Sequence, residues 1–233
     1  MALLPLAGCV VSETRPEPYT PAAQAQVEIP EARLLDIGVG VFETGLPDEG
    51  EATEEGVFRN VREAEASYIA VQLKDTLQKT GHWGMVRVVP ERSNSLDVHL
   101  KGKIVESDGE ILVLEIKAMD ATNRVWFKNR YKGRADGASY SDSSVLDRDP
   151  FQSLYNAVAN DLLEYRETLA TEDLQNVRQV AELRFAGSIA PAAFGEHLTE
   201  DREGDLKVAR LPAVDDPMLA RVRLVRELSL IHI

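Results

Sequence analysis

Residues 96–131 read LDVHLKGKIVESDGEILVLEIKAMDATNRVWFKNRY. Apolar and polar residues alternate through most of this stretch. Strand side chains point alternately to opposite faces, so this pattern predicts half-buried strands. Leu96, Val98, Leu100 and Ile104 share one side of a first strand, and Leu112, Leu114, Ile116 and Ala118 one side of a second. Val125, Phe127 and Tyr131 share one side of a third. Asp108-Gly109 between the first two is a strong hairpin signal. Asp120-Ala121-Thr122-Asn123 marks a second turn, where Asn tolerates the left-handed conformation. The stretch predicts a three-stranded antiparallel meander.

The flanking sequence supplies the rest of a two-layer fold. Residues 32–42, ARLLDIGVGVF, read as a strand with Leu35, Ile37, Val39 and Val41 on one side. Gly38 and Gly40 lie on the other, which points either to close approach by another backbone or to a tight exit into a loop. Residues 43–56 are acidic, without a basic side chain or a calcium-loop order, and read as a solvated loop. Residues 60–80 carry Ala66, Ile69, Ala70, Leu73 and Leu77 at helical spacing. Asn60 and Glu63 form a candidate capping box, and Gly81 a stop. Residues 83–89 form another strand, so strand–helix–strand predicts a right-handed crossover between parallel strands. Asp149-Pro150 opens a helix with Phe151, Leu154, Tyr155, Val158, Leu162 and Tyr165 on one stripe. A further helix is expected over 171–185, irregular chain over 191–217, and a last helix opening at Asp216-Pro217. The expected class is α/β, an α+β two-layer sandwich. Its mixed sheet contains the meander, helices cover one face, and the carboxy-terminal extension is helical. The α/β domain is expected over 31–169 and the extension over 170–227.

The outward sides of the meander carry His99, Lys101 and Lys103, then Val113, Glu115 and Lys117, then Arg124, Trp126, Lys128 and Arg130. A chain of net charge −13 thus concentrates cations on one sheet face. Lys101, Lys103, Lys117, Arg124, Trp126, Lys128 and Arg130 form the candidate interaction face, with Trp126 as an anchor for an acidic protein or an anionic envelope polymer. The alternatives are a solvated face whose Lys and Arg discourage edge pairing, and a Trp126 tucked under the carboxy-terminal segment.

The acidic balance argues against nucleic acid as a partner. No apolar run reaches the length of a membrane-spanning helix. His82, His99, His197 and His232 sit in no zinc frame, and the nucleophile-elbow and phosphate-loop patterns are missing. We therefore expect no catalysis, cofactor or metal. The alternative is an enzyme or small-molecule binder using the polar loop of Asp136, Tyr140, Asp147 and Asp149.

Leu6-Ala7-Gly8-Cys9 places small residues before the chain's one cysteine. This resembles the lipobox of bacterial lipoproteins, and the resemblance implies acylation of Cys9 after cleavage, with residues 1–9 as the signal remnant. Residues 10–30, with Pro16, Pro18, Pro21 and Pro30, read as a tether. Val10 in place of Asp after the cysteine implies the outer membrane by the sorting rule of that family. The order LLDIGVGVF, acidic loop, EAEASYIAVQLKDTLQKTG, WGMVRVVP and meander resembles TolB amino-terminal-like, CsgG-like and penicillin-binding-protein-activator lipoproteins. That resemblance implies a non-catalytic, periplasm-facing role in envelope assembly, secretion or wall-synthesis regulation. At the other end, residues 228–233 read LSLIHI, a translation of the transposon end used in preparing sequencing libraries. We expect the natural chain to continue differently after Glu227.

Overall fold

The computed structural model describes residues 20–46, 58–90, 93–135 and 149–232. Strand β1 (Ile37–Gly40) lies between two parallel neighbours, β2 (Val86–Val89) and β3 (Val98–Ser107). Helix α1 (Arg59–Thr80) makes the crossover from β1 to β2. The meander continues antiparallel through β4 (Ile111–Asp120) and β5 (Val125–Arg134), giving the order β2-β1-β3-β4-β5. The mixed α/β fold expected from the sequence is therefore present. β1 and β2 are shorter than their apolar runs, and a 3-10 turn at Glu31–Arg33 occupies the approach to β1.

The core lies between the sheet and α1 with α2 (Gln152–Thr168). Ile37, Val39, Leu100, Ile104, Leu114 and Ile116 are buried against Ile69, Leu73, Leu77, Val158 and Leu162. Each such side chain contributes roughly 1.5–3 kcal/mol by leaving water. Gly102 marks the closest approach, since a Cβ there would lie 2.1 Å from Phe42 Cε1.

Both ends of α1 have a local cause. Gly81 ends it in the left-handed region, at φ 71°. Its start differs from the expected capping box, because the helix begins at Arg59 and Asn60 lies inside it. Arg62 explains the earlier start. It is buried, donates to the Ser107 carbonyl at 2.9 Å and pairs with Glu65 at 3.1 Å, which ties the first turn to the end of β3. At α2, Asp149 accepts the Phe151 N–H at 2.7 Å, and the helix starts at Gln152.

The third strand corrects the expected facing. Ala118 pairs with Phe127 and Met119 with Val125, so Trp126 has no opposite residue. This one-residue β-bulge re-aims the side chains on either side of it. Val125 turns outward and is 45% exposed, while Trp126 turns into the core and is 4% exposed. Its ring stacks on Tyr165 of α2, with centroids 5.1 Å apart. Its Nε1–H donates to Asp120 at 2.9 Å.

The carboxy-terminal part gathers where β1 and β3 begin and β4 ends. Helix α3 (Thr171–Ile189) adds Leu174, Val177, Val180 and Ala181 to the main core. Residues 191–217, expected to be irregular, contain helix α4 (Pro191–Phe194) and a hairpin of β6 (Leu198–Glu200) and β7 (Leu206–Val208). Three-residue strands are too short to display a period. Helix α5 (Pro217–His232) opens as expected, with Asp216 accepting the N–H groups of Met218 and Leu219. Its Leu219 and Val222 pack with Phe185 and Phe194 in a small second cluster.

The buried Asp120 carboxylate accepts from Thr122 N–H, Thr122 Oγ1 and Trp126 Nε1. Asp120→Ala strands these donors, and it should cost about 3 kcal/mol of stability in urea denaturation. Trp126→Phe keeps the stacking and should cost less.

Candidate interaction face

Cross-strand register sets the outer face of the sheet in rows. Lys101 of β3, Lys117 of β4 and Lys128 of β5 stand opposite one another in one row. Lys103, Glu115 and Arg130 form the next. Beyond it, Val113 is paired with Lys132, so Lys132 belongs to the same face. The alternation that picked out Lys128 and Arg130 extends to Lys132, and following it past Tyr131 would have found this residue. Lys101, Lys103, Lys128, Arg130 and Lys132 are exposed, and Lys117 is half-buried between its neighbours.

The anions of the face are Glu106, paired with Val113 in the row of Lys132, and Glu115. Glu115 bonds Lys128 at 2.8 Å and lies 3.8 Å from Arg130. The Lys128 hydrogen bond is the main cause holding the Glu115 carboxyl below the usual carboxylate range. Charge from Lys128, Arg130 and Lys103 adds to it against the effect of burial. Glu43 approaches Lys101 at 3.5 Å, but both side chains are largely exposed, so that pair contributes little. Like charges directly opposite on a sheet face destabilise it.

The other sequence-selected residues lie elsewhere. Trp126 is in the core. Arg124 precedes β5 and reaches Asp173 of α3 at 3.5 Å, so it serves helix packing. Cys9, Asp136, Tyr140 and Asp147 fall outside the described residues. Asp149 caps the approach to α2 and accepts from Tyr68 Oη at 2.8 Å. Tyr68 is pushed up to about 12, mostly by burial, with the Asp149 bond adding.

The face closes at the start of β3. His99, expected on the surface, is only 7% exposed. It packs over the two glycines of β1, and a Cβ on Gly38 would lie 3.1 Å from His99 Nδ1 and 2.4 Å from Leu96 Cδ1. Close approach therefore explains the IGVG pattern, by side chains at Gly38 and at Gly40 by the Leu100 backbone oxygen, 3.2 Å from a Cβ placed there, with the His99 ring next. Beside His99, a cavity of about 10 Å³ is lined by Ser93, Asn94, Asp97, Asp120 and Arg184 among others, room for about one water.

Asp97 is the electrostatic centre of this corner. Its carboxylate accepts the Asp36 N–H at 2.8 Å and Arg226 of α5 at 3.1 Å, with the side chain 3% exposed. Desolvation pushes it up to about 6, against the pull of Arg226 and with Asp36 adding repulsion. Arg226 also donates to the Ser95 carbonyl at 2.9 Å, so α5 is tied to the sheet through this point.

Among the described residues, one acidic group could share a cation, Asp201, Glu203 and Asp205 in the β6–β7 turn. Asp201 is already engaged, by Lys207 at 2.8 Å and by the N–H groups of Glu203 and Asp205.

No family model matches this chain, and no curated protein matches it. Among solved structures, the chain is similar to a PelC dodecamer from Paraburkholderia phytofirmans, a point variant of that protein, at 19% identity and a TM-score of 0.37. The match covers 61% of this chain and 92% of that one. A likeness of that size carries no functional argument.

Because the folded Asp97 pKa lies above its ordinary 3.8, the folded state binds more protons than the unfolded chain between about pH 4 and pH 6. Its contribution to stability should therefore fall as pH rises through that window and level off above it. Urea melts at stepped pH should show this slope, and Asp97→Asn should remove it. Arg226→Gln should move the Asp97 titration upward in carboxyl NMR.

Proposed function

We propose that this protein is an outer-membrane lipoprotein that faces the periplasm and acts as a non-catalytic binding module. It would work in envelope assembly, secretion or wall-synthesis regulation. One observation carries the reading. Lys101, Lys117 and Lys128 stand in a row on an open sheet face, with Lys103, Arg130 and Lys132 beside them, in a chain of net charge −13. An arrangement that costs stability in the isolated domain gains when carboxylates or other anions approach it.

The LAGC stretch and the proline-rich residues after it supply the anchor in this reading. Attachment in this reading is through lipid on Cys9; among the described residues no helix is long and apolar enough to cross a membrane. Two or more acyl chains hold a protein stably where one is marginal.

The test is charge reversal on the face. A Lys101→Glu/Lys117→Glu/Lys128→Glu variant is compared with a Gln version at the same positions, using crosslinked envelope extracts from cells expressing each. Recovery of the native crosslinked species should fall with Gln and vanish with Glu. Equal recovery from all three proteins would remove the interaction face from the reading.

A further inference from the structure

The amino-terminal segment is docked before it reaches β1. Residues 20–25 cross α2 and the end of α1 as an extended strap. Asn156 Nδ2 donates to the Thr20 carbonyl at 3.1 Å, and Asn160 Nδ2 donates to the Pro21 carbonyl at 3.1 Å. Asn160 Oδ1 accepts the Ala23 N–H at 2.9 Å, and the Thr80 carbonyl accepts the Ala25 N–H at 2.8 Å. Asn156 and Asn160 lie one helical turn apart, so both amides point along the same face of α2. Gln152 extends the ladder inward, donating to Asn156 Oδ1 and Thr76 Oγ1 at 2.9 Å each. The strap is thus held through its backbone by a connected set of amides.

This changes the reach of the tether. Part of the stretch expected to be a free linker belongs to the folded domain. From Cys9 to Thr20 the chain can extend no more than about 40 Å. That is close to the width of the domain, whose radius of gyration is about 17 Å for a chain of this size. The tether leaves from the helical layer, and the cationic rows lie on the opposite layer.

We infer that the strap orients the anchored domain, so that the α1–α2 layer looks toward the bilayer and the cationic sheet face looks away from it. The inference rests on the lipoprotein reading and deepens it. The occupant of the face is then a protein bearing carboxylates, reached from the periplasm, rather than anionic lipid headgroups. The make-up of the face agrees with a protein. Val105 at the β3 bulge and Val125 are exposed beside the lysines, and aliphatic side chains of a partner would cover them.

The experiment uses the acylated full chain in vesicles that contain acceptor-labelled lipid. Acylation occupies Cys9, so a single introduced cysteine takes the donor dye. Glu164→Cys reports from α2 one turn beyond Asn160, and Glu106→Cys reports from the sheet face. Energy transfer should be higher from position 164 than from 106, in both neutral and anionic vesicles. The difference should be lost in Asn156→Ala/Asn160→Ala. Hydrogen exchange on the native chain supplies a check that needs no variant, since the Ala23 and Ala25 amides should be protected. Exchange of both at the solvent rate would overturn the strap. Transfer that is equal at the two sites, or higher from 106, would overturn the orientation while leaving the lipoprotein reading standing. Reversal on anionic vesicles alone would assign the face to lipid headgroups. Absence of labelled palmitate at Cys9 would end the lipoprotein reading, and the orientation with it.

Discussion

The unopposed Trp126 is the constraint on which much of this molecule turns. One extra residue at the start of β5 sends the largest side chain of the strand inward, onto Tyr165, and turns Val125 out. The indole would bury an unsatisfied donor there, at a cost of about 1–3 kcal/mol. Asp120 prevents this, and the same carboxylate fixes Thr122 in the adjoining turn. That turn then serves as a dock. The Leu206 N–H donates to the Thr122 carbonyl, Asn123 donates to Gly204, and Arg184 reaches the Ala121 carbonyl. The hairpin and α3 therefore hang on a turn whose shape is set by the bulge beside it.

The parts legible from sequence were those with a sustained period or unambiguous turn chemistry. β3 and β4 are each long enough for alternation to show, and Gly109 at φ 89° and Asn123 at φ 72° sit where the turn residues placed them. The parallel crossover followed from one helix between two apolar strands. What escaped is what period alone cannot reveal. A bulge shifts the facing of the residues on one side of it by one, here Val125 and Trp126, and nothing in RVWFKNRY marks which residue is extra. The burial of His99 depends on two glycines in a strand distant in sequence. The strap reads as linker because its stabilising partners are Asn156 and Asn160, whose amides look like ordinary helix-surface residues. On the face itself, the lysines were legible because alternation held from Val98 to Ile104 and from Phe127 onward.

The bulge also bears on the charged face. With Trp126 removed inward, the outer surface of β5 carries Val125, Lys128, Arg130 and Lys132 without an aromatic. Such a surface lacks the aromatic anchors typical of tight interfaces. In the proposed reading, its attraction for a partner would be electrostatic and weaken with salt. It would favour fast association and selection by charge over raw affinity.

The strap and the Asp97–Arg226 tie act on opposite sides of the sheet's organisation. The strap holds the chain's entry to the helical layer by bonds to backbone groups, which depend little on the side chains of residues 20–25. The tie holds α5 by one buried ion pair, in which desolvation of the carboxylate outweighs the pull of the arginine. Replacing such a pair with apolar residues is often no loss in stability, whereas removing one partner is costly. The pair therefore serves placement more than stability. It sets α5 over residues 95–97, where the chain enters β3, the strand that carries Lys101 and Lys103. The entry to the strand that carries Lys101 and Lys103 is thus held by α5, although no residue of α5 belongs to the face.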